Sequence, residues 1–245
     1  SAPAFALSNL INWSLPYSAQ GQVARTRVPT YLCPSEINDQ SRPDPSASDP
    51  DFAHYPLSYG VNMGEWFIYD PVGKKTGTGL VFPNSKTGFR DVLDGASSTL
   101  AVAEVKAFNP YLRDALNPAT LGVATPSLPT EVLSYGGNFK VNSGHTEWTD
   151  SRAHQSGFTT AFTPNTKVLY TSGGAQYDVD FNSSREGKTI TNPTYAAVTS
   201  RSYHTGGVQT GFVDGSCHFI TDSIDRKIWR SLGTRANREV VASLD

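Results

Sequence analysis

With 245 residues the chain is long enough to bury a sizeable core. Its 20 Lys+Arg against 22 Asp+Glu leave a formal charge of −2, so it has no electrostatic footprint for nucleic acid or an acidic membrane. Gly (21), Pro (16), Tyr (11) and Phe (12) beside a single Met favour strands and turns, and an all-helical bundle is excluded. No run of about 18 apolar residues is present. The CxxC, HExxH and GxSxG patterns and the Walker and Rossmann glycine patterns are also absent, which leaves most familiar enzyme classes without a motif.

In chain order, residues 5–13 space Phe5, Leu7, Leu10, Ile11 and Trp13 as a short helix would. Residues 28–33 read as a strand ended by Pro34-Ser35. Residues 36–56 hold Pro43, Pro45, Pro50 and Pro56 among Asp and Ser, and are expected to form an exposed loop. Aromatic and β-branched clusters then recur at 57–61, 65–69, 79–82, 99–105, 133–135, 157–162, 167–170 and 194–199, punctuated by Gly, Pro and Asn, which is the pattern of many short strands. A turn at 88–93 and the stretch 110–116, with Pro110 suited to a first helical position, are the helical interruptions. There is no fixed-period repeat and no composition shift, so residues 1–245 are expected to form one domain.

Val208–Val213 and Ser216–Ile220 flank Asp214-Gly215, a strong signal for a two-residue type I′ hairpin. In that register Phe212 faces Cys217. Val208, Thr210, Phe212, Cys217 and Phe219 then share the core face, and Gln209, Gly211, Val213, Ser216, His218 and Ile220 the other. An amphipathic helix is expected to follow, with Asp222 as N-cap, Ile224, Ile228 and Leu232 as its apolar stripe and Gly233 as its stop.

The same stretch reads His204, nine residues, then Asp214-Gly215, with Gly206-Gly207 inside it and Trp229-Arg-Ser-Leu-Gly-Thr-Arg235 beyond. It resembles the C-terminal signature of the prepilin-like H-x9-DG proteins abundant in planctomycetes, a large group classed as a domain of unknown function. Tyr31-Leu-Cys33-Pro-Ser35, Ser58-Tyr-Gly60, the 94–100 segment with Glu104, and His145-Thr-Glu-Trp148 through Asn165 are similar to that group in order, so the resemblance runs from about residue 28 to 241. It departs at Cys217, where an aliphatic residue is expected, and at Thr205, where Pro is common. Members usually begin with a type IV prepilin leader and a long hydrophobic helix. The resemblance therefore implies a pseudopilin-like globular head of α+β class, mostly antiparallel sheet with few short helices, separated from its N-terminal helix naturally or by truncation.

His204 and Asp214 admit a functional reading. The plainer one makes Asp214 the turn residue and His204 a loop hydrogen-bonder beside Gly206, Gly207 and Gly215. His145, Glu147, Asp150 and His154 are the densest group of metal-ligand types; on a strand His145 and Glu147 would point the same way, as a metal or acid/base site needs. A structural polar cluster is the competing reading, and no metal is assigned to it. The resemblance admits calcium at an Asp-rich loop, since type II secretion pseudopilins often use it, but no D-x-D-x-D-G loop is present and Asp178-Val-Asp180 alone is too little to assign one. Cys33 and Cys217 are candidates for one disulfide, the alternative being two buried thiols that never meet.

These readings lead to a non-enzymatic subunit of an extracellular, cell-surface or periplasmic pilus-like assembly, related to type IV pilins or type II secretion pseudopilins. Its expected partners are further copies or other pilin-like subunits, with no nucleic acid, and a membrane only through an absent N-terminal helix. No cofactor is expected beyond the calcium alternative. The competing class is a secreted carbohydrate-binding module or metal-dependent hydrolase built on the His145–His154 region.

Overall fold

The computed structural model describes residues 7–47 and 49–239. In chain order its strands are β1 (Arg42–Pro43), β2 (Ala53–His54), β3 (Tyr59–Asn62), β4 (Phe67–Tyr69), β5 (Leu100–Glu104), β6 (Asn109–Arg113), β7 (Asn138–Gly144), β8 (Gly157–Phe158), β9 (Leu169–Ser172), β10 (Ala175–Asp178), β11 (Asp180–Asn182), β12 (Thr194–Ala197), β13 (Gly207–Phe212) and β14 (Cys217–Thr221). The helices are short: α1 (Gly21–Ala24), α2 (Pro129–Leu133), α3 (Ala153–Ser156) and α4 (Arg226–Leu232). Strands of this length cannot stand alone and are held by sheets that pair segments distant in sequence.

One five-stranded sheet has the order β4-β12-β11-β6-β7, the other β14-β13-β5-β3-β8. Their pairings are antiparallel apart from β6 with β11 and β3 with β8, which gives the expected α+β class. Leu100, Ala103, Phe158, Val208, Phe212 and Ile220 of the second sheet form a core with Trp229 and Leu232, so α4 docks there by its apolar stripe. Trp66, Leu112, Phe162, Phe181 and Tyr195 build the core of the first, where Trp66 stacks on Phe181 with ring centroids 5.8 Å apart.

Several expected elements change character where tertiary pairing outweighs local preference. The stretch 110–116, expected as a helix, instead contributes most of β6 (Asn109–Arg113), which lies between β7 and β11. The missing N–H of Pro110 is absorbed by a register irregularity between Asn109 and Tyr111. Residues 29–31 form a 3₁₀ turn rather than a strand, because Pro29 presets a helical φ. Of residues 133–135, expected as a strand, Leu133 ends α2 and the other two follow it; the start of α2 is fixed by Glu131 accepting from the amides of Ser127 and Leu128. The 36–56 loop carries the β1–β2 ribbon and sinks Phe52 and His54 into the interior. The helix expected over 5–13 falls partly outside the described residues, and chain 11–12 is irregular.

The C-terminal hairpin differs in a way that propagates. Gly215 N–H donates to the Phe212 carbonyl at 3.0 Å and Phe212 N–H to the Ser216 carbonyl at 2.9 Å, with Gly215 at φ 88°. This is a three-residue connection, a type I turn closed by a left-handed glycine, rather than a two-residue link. The register therefore pairs Gly211 with Cys217 and Val208 with Ile220. A one-residue slip turns every β14 side chain over. Ile220 is buried, whereas Cys217 and Phe219 face out, Phe219 being 44% exposed. In α4 the N-cap is Asp225, whose carboxylate accepts from the amides of Lys227 and Ile228, not Asp222, which accepts instead from Asn165.

Candidate functional site

Glu104 ends β5, His204 lies in the loop leading into β13, and Cys33 follows the 29–31 turn. The sheet brings these three together although they lie in separate motifs of the sequence. His204 Nε2 lies 3.1 Å from Glu104 Oε1 and 3.5 Å from Cys33 Sγ. The other Glu104 oxygen accepts from the Gln209 amide at 2.7 Å, and Cys33 Sγ accepts from the Ser35 amide at 3.4 Å, so the ligand atoms are aimed by backbone N–H groups. Glu104 is buried, while the His204 side chain is 34% exposed. Among the described residues this is the grouping of His, Cys, Asp and Glu whose ligand atoms converge, all within 4.8 Å of one another.

Local structure accounts for the convergence. His204 N–H donates to Ser202 Oγ, which itself donates to the Gly207 carbonyl, fixing the loop before β13. Gly206 sits at φ 82°, and a Cβ on Gly207 would lie 2.2 Å from the Ile220 carbonyl oxygen. Both glycines therefore set the path that presents His204. Burial and the Glu104 carboxylate push the Cys33 thiol up; burial, with Cys33 and Glu104 beside it, holds the Tyr59 hydroxyl at about 12. Asp214 stands apart from this group: its carboxylate accepts from the Ser216 amide and hydroxyl, an Asx turn at the hairpin tip. Both cysteines are free, so the expected Cys33–Cys217 disulfide is not formed. Cys33 is engaged with His204, and the slipped register puts Cys217 on the outer face of β14.

The His145–His154 group is divided by the fold. His145 follows β7 with φ 55°, which breaks the strand alternation that would have aligned it with Glu147. Its Nδ1 donates to the Gln155 carbonyl at 2.9 Å and its Nε2 lies 3.7 Å from Asp180 in the interior. Glu147 points the other way, paired with Arg42 and 3.8 Å from His54 Nδ1. Asp150 pairs with Arg152 at 2.7 Å. His154 is buried against the Tyr111 ring at 4.6 Å and accepts from Asn182, and burial together with Arg113, Arg152 and Arg185 holds its pKa well below the ordinary value, leaving it neutral.

Glu147, Asp150 and His154 line a charged cleft of about 370 Å³ with Arg42, Arg113, Arg152 and Arg185. The cleft is balanced by pairing: Arg42 with Glu147, Arg152 with Asp150, Arg185 with Asp114 at 2.7 Å. Burial pushes the Glu147 carboxyl up, against the opposing charges of His54 and Arg42. The arginines carry no motif in the sequence, and only the sheet order assembles them. Asp178 and Asp180, the Asp pair too short to be assigned calcium, both turn to the Arg201 guanidinium, which occupies the carboxylates a cation would need.

The family model described as "Protein of unknown function (DUF1559)" matches residues 6–227. The chain belongs to that family. The match takes in Cys33, Glu104, His204 and the 207–221 hairpin, and it ends within α4. No curated protein and no solved structure matches the chain.

Proposed function

We propose that this chain is the globular head of a prepilin-like, pseudopilin-related subunit that works by protein–protein contact in an extracellular, cell-surface or periplasmic pilus-like or secretion-associated assembly, not by turnover. The observation that carries this reading is an apolar surface near the N-terminal side. Trp13 is 83% exposed between exposed Leu10 and Leu15, beside a groove of about 290 Å³ lined by Ile11, Val23 and Trp148. Large apolar side chains presented together to water mark a partner's seat, and the occupant in this reading is a neighbouring subunit of the same assembly. The order of the H-x9-DG motifs supports the prepilin-like assignment. Glu147 and Asp150 each sit on an arginine, as structural ion pairs do.

The test is Trp13→Asp in the producing cells, with the sedimentable, surface-assembled fraction measured and the fold checked by circular dichroism. A folded variant lost from the assembled fraction supports the reading. An unchanged assembled fraction, or hydrolytic turnover by the purified chain that falls on Glu147→Gln, contradicts it.

A further inference from the structure

We propose that Cys33, Glu104 and His204 form a zinc site, with Cys33 Sγ, Glu104 Oε1 and His204 Nε2 as ligands and a solvent-facing fourth position. The inference is independent of the assembly reading.

The two spacings that His204 makes with the other ligand atoms match that metal, and all three atoms lie within 4.8 Å of one another. Zinc bonds of about 2.3 Å to sulfur and about 2.0–2.2 Å to nitrogen or oxygen, set at the tetrahedral angle, place sulfur roughly 3.5 Å from nitrogen and nitrogen roughly 3.3 Å from oxygen. The structure has 3.5 Å for Cys33 to His204 and 3.1 Å for His204 to Glu104. A hydrogen-bonded trio would reach similar distances, so the donor set decides the argument. One thiol, one imidazole and one carboxylate together are the mixed soft and borderline set that suits zinc, whereas calcium takes six to eight oxygens.

The surroundings are those of a ligand set. The second Glu104 oxygen is held by the Gln209 amide, and the sulfur accepts an amide from Ser35, contacts that orient a carboxylate and a thiolate toward a shared cation. Partial exposure of Cys33 and His204 gives the ion a path in. The three ligands come from the 29–35 segment, the end of β5 and the loop before β13, so a bound ion ties two loops to the end of the sheet's central strand. Binding replaces the thiol proton by the metal, releasing it to solvent.

The second cysteine supplies the control. Cys217 is exposed on β14 and lies outside the trio. The full chain, stripped with chelator, is titrated with zinc chloride and each cysteine's rate of reaction with iodoacetamide is followed by mass spectrometry. The expected result is one zinc per chain, with Cys33 labelling slowed about tenfold or more while Cys217 is unaffected, since a metal-bound thiolate is withdrawn from reaction. Cobalt is expected to give a thiolate charge-transfer band at one equivalent, and both signals should disappear in His204→Gln. Unchanged Cys33 labelling with no cobalt band overturns the site, as does protection of Cys217 instead of Cys33. If His204→Gln fails to fold, the wild-type chain still decides the matter by the Cys33-to-Cys217 contrast.

Discussion

Asp180 and Arg201 form an ion pair sealed in the interior, both side chains almost completely buried, with Asp180 also accepting from Asn109 Nδ2 at 2.8 Å and the Thr199 amide at 3.0 Å. Burial alone would push the Asp180 carboxyl up, yet Arg201 and His145 hold it below the ordinary carboxylate range, so it stays charged. Removing one member of such a pair strands a charge in low dielectric. Arg201→Met is expected to cost about 3–5 kcal/mol in urea unfolding at neutral pH. The deficit should shrink as pH falls and Asp180 takes up a proton. A loss below about 1 kcal/mol would mean that water reaches the carboxylate.

Glu186 titrates in the opposite sense. Its Oε1 accepts from the Ala153 amide at 3.2 Å, but Oε2 is enclosed without a partner, and burial, with Asp150 nearby, raises the carboxyl to about 7. Between its ordinary value of 4.5 and that raised value the folded chain keeps a proton that the unfolded chain releases. Stability is therefore fully present below the ordinary value and declines as pH rises through the window. Glu186→Gln is expected to gain about 2–3 kcal/mol over the parent at pH 8 and to match it at pH 4. Thermal melts at the two pH values check this, and a gain of equal size at both would contradict it.

The hairpin register has its own test. Phe212 is buried in the α4 core, so Phe212→Ala is expected to cost about 3–5 kcal/mol. Phe219→Ala, on the outward face, should cost less than about 1 kcal/mol, and Lys227→Ala should be silent. A large loss at Phe219 would restore the two-residue turn.

Alkylation under denaturing, non-reducing conditions is expected to modify both Cys33 and Cys217, since both are free thiols. Finding neither modified would reinstate the disulfide.

How much the sequence discloses depends on whether an interaction is local. Strand-rich content, the burial of Trp229 and Leu232 in α4, and the hairpin at 208–220 all follow from spacing and turn residues within a few positions. The register did not, because Asp-Gly closes either a two- or a three-residue connection, and the choice rests on whether Val213 turns or pairs. Residues 109–113 became a strand only because β7 and β11 flank them. At the candidate site, Cys33, Glu104 and His204 each lie in a segment readable as a family motif. Their convergence depends on β5 pairing with β13 and on the 29–31 turn reaching the end of β5, which no short-range pattern encodes. The arginines of the charged cleft were illegible for the same reason.

Photo-crosslinking in the producing cells tests the proposed contact role of the Trp13 surface. A benzophenone side chain is placed at position 13, and another at Lys227, exposed on α4, as the reference. The expected result is a discrete adduct from position 13, identified by mass spectrometry as a second copy of this chain or a pilin-like subunit, and none from position 227. No adduct at position 13 above the reference, in cells that carry the assembled material, would contradict that role.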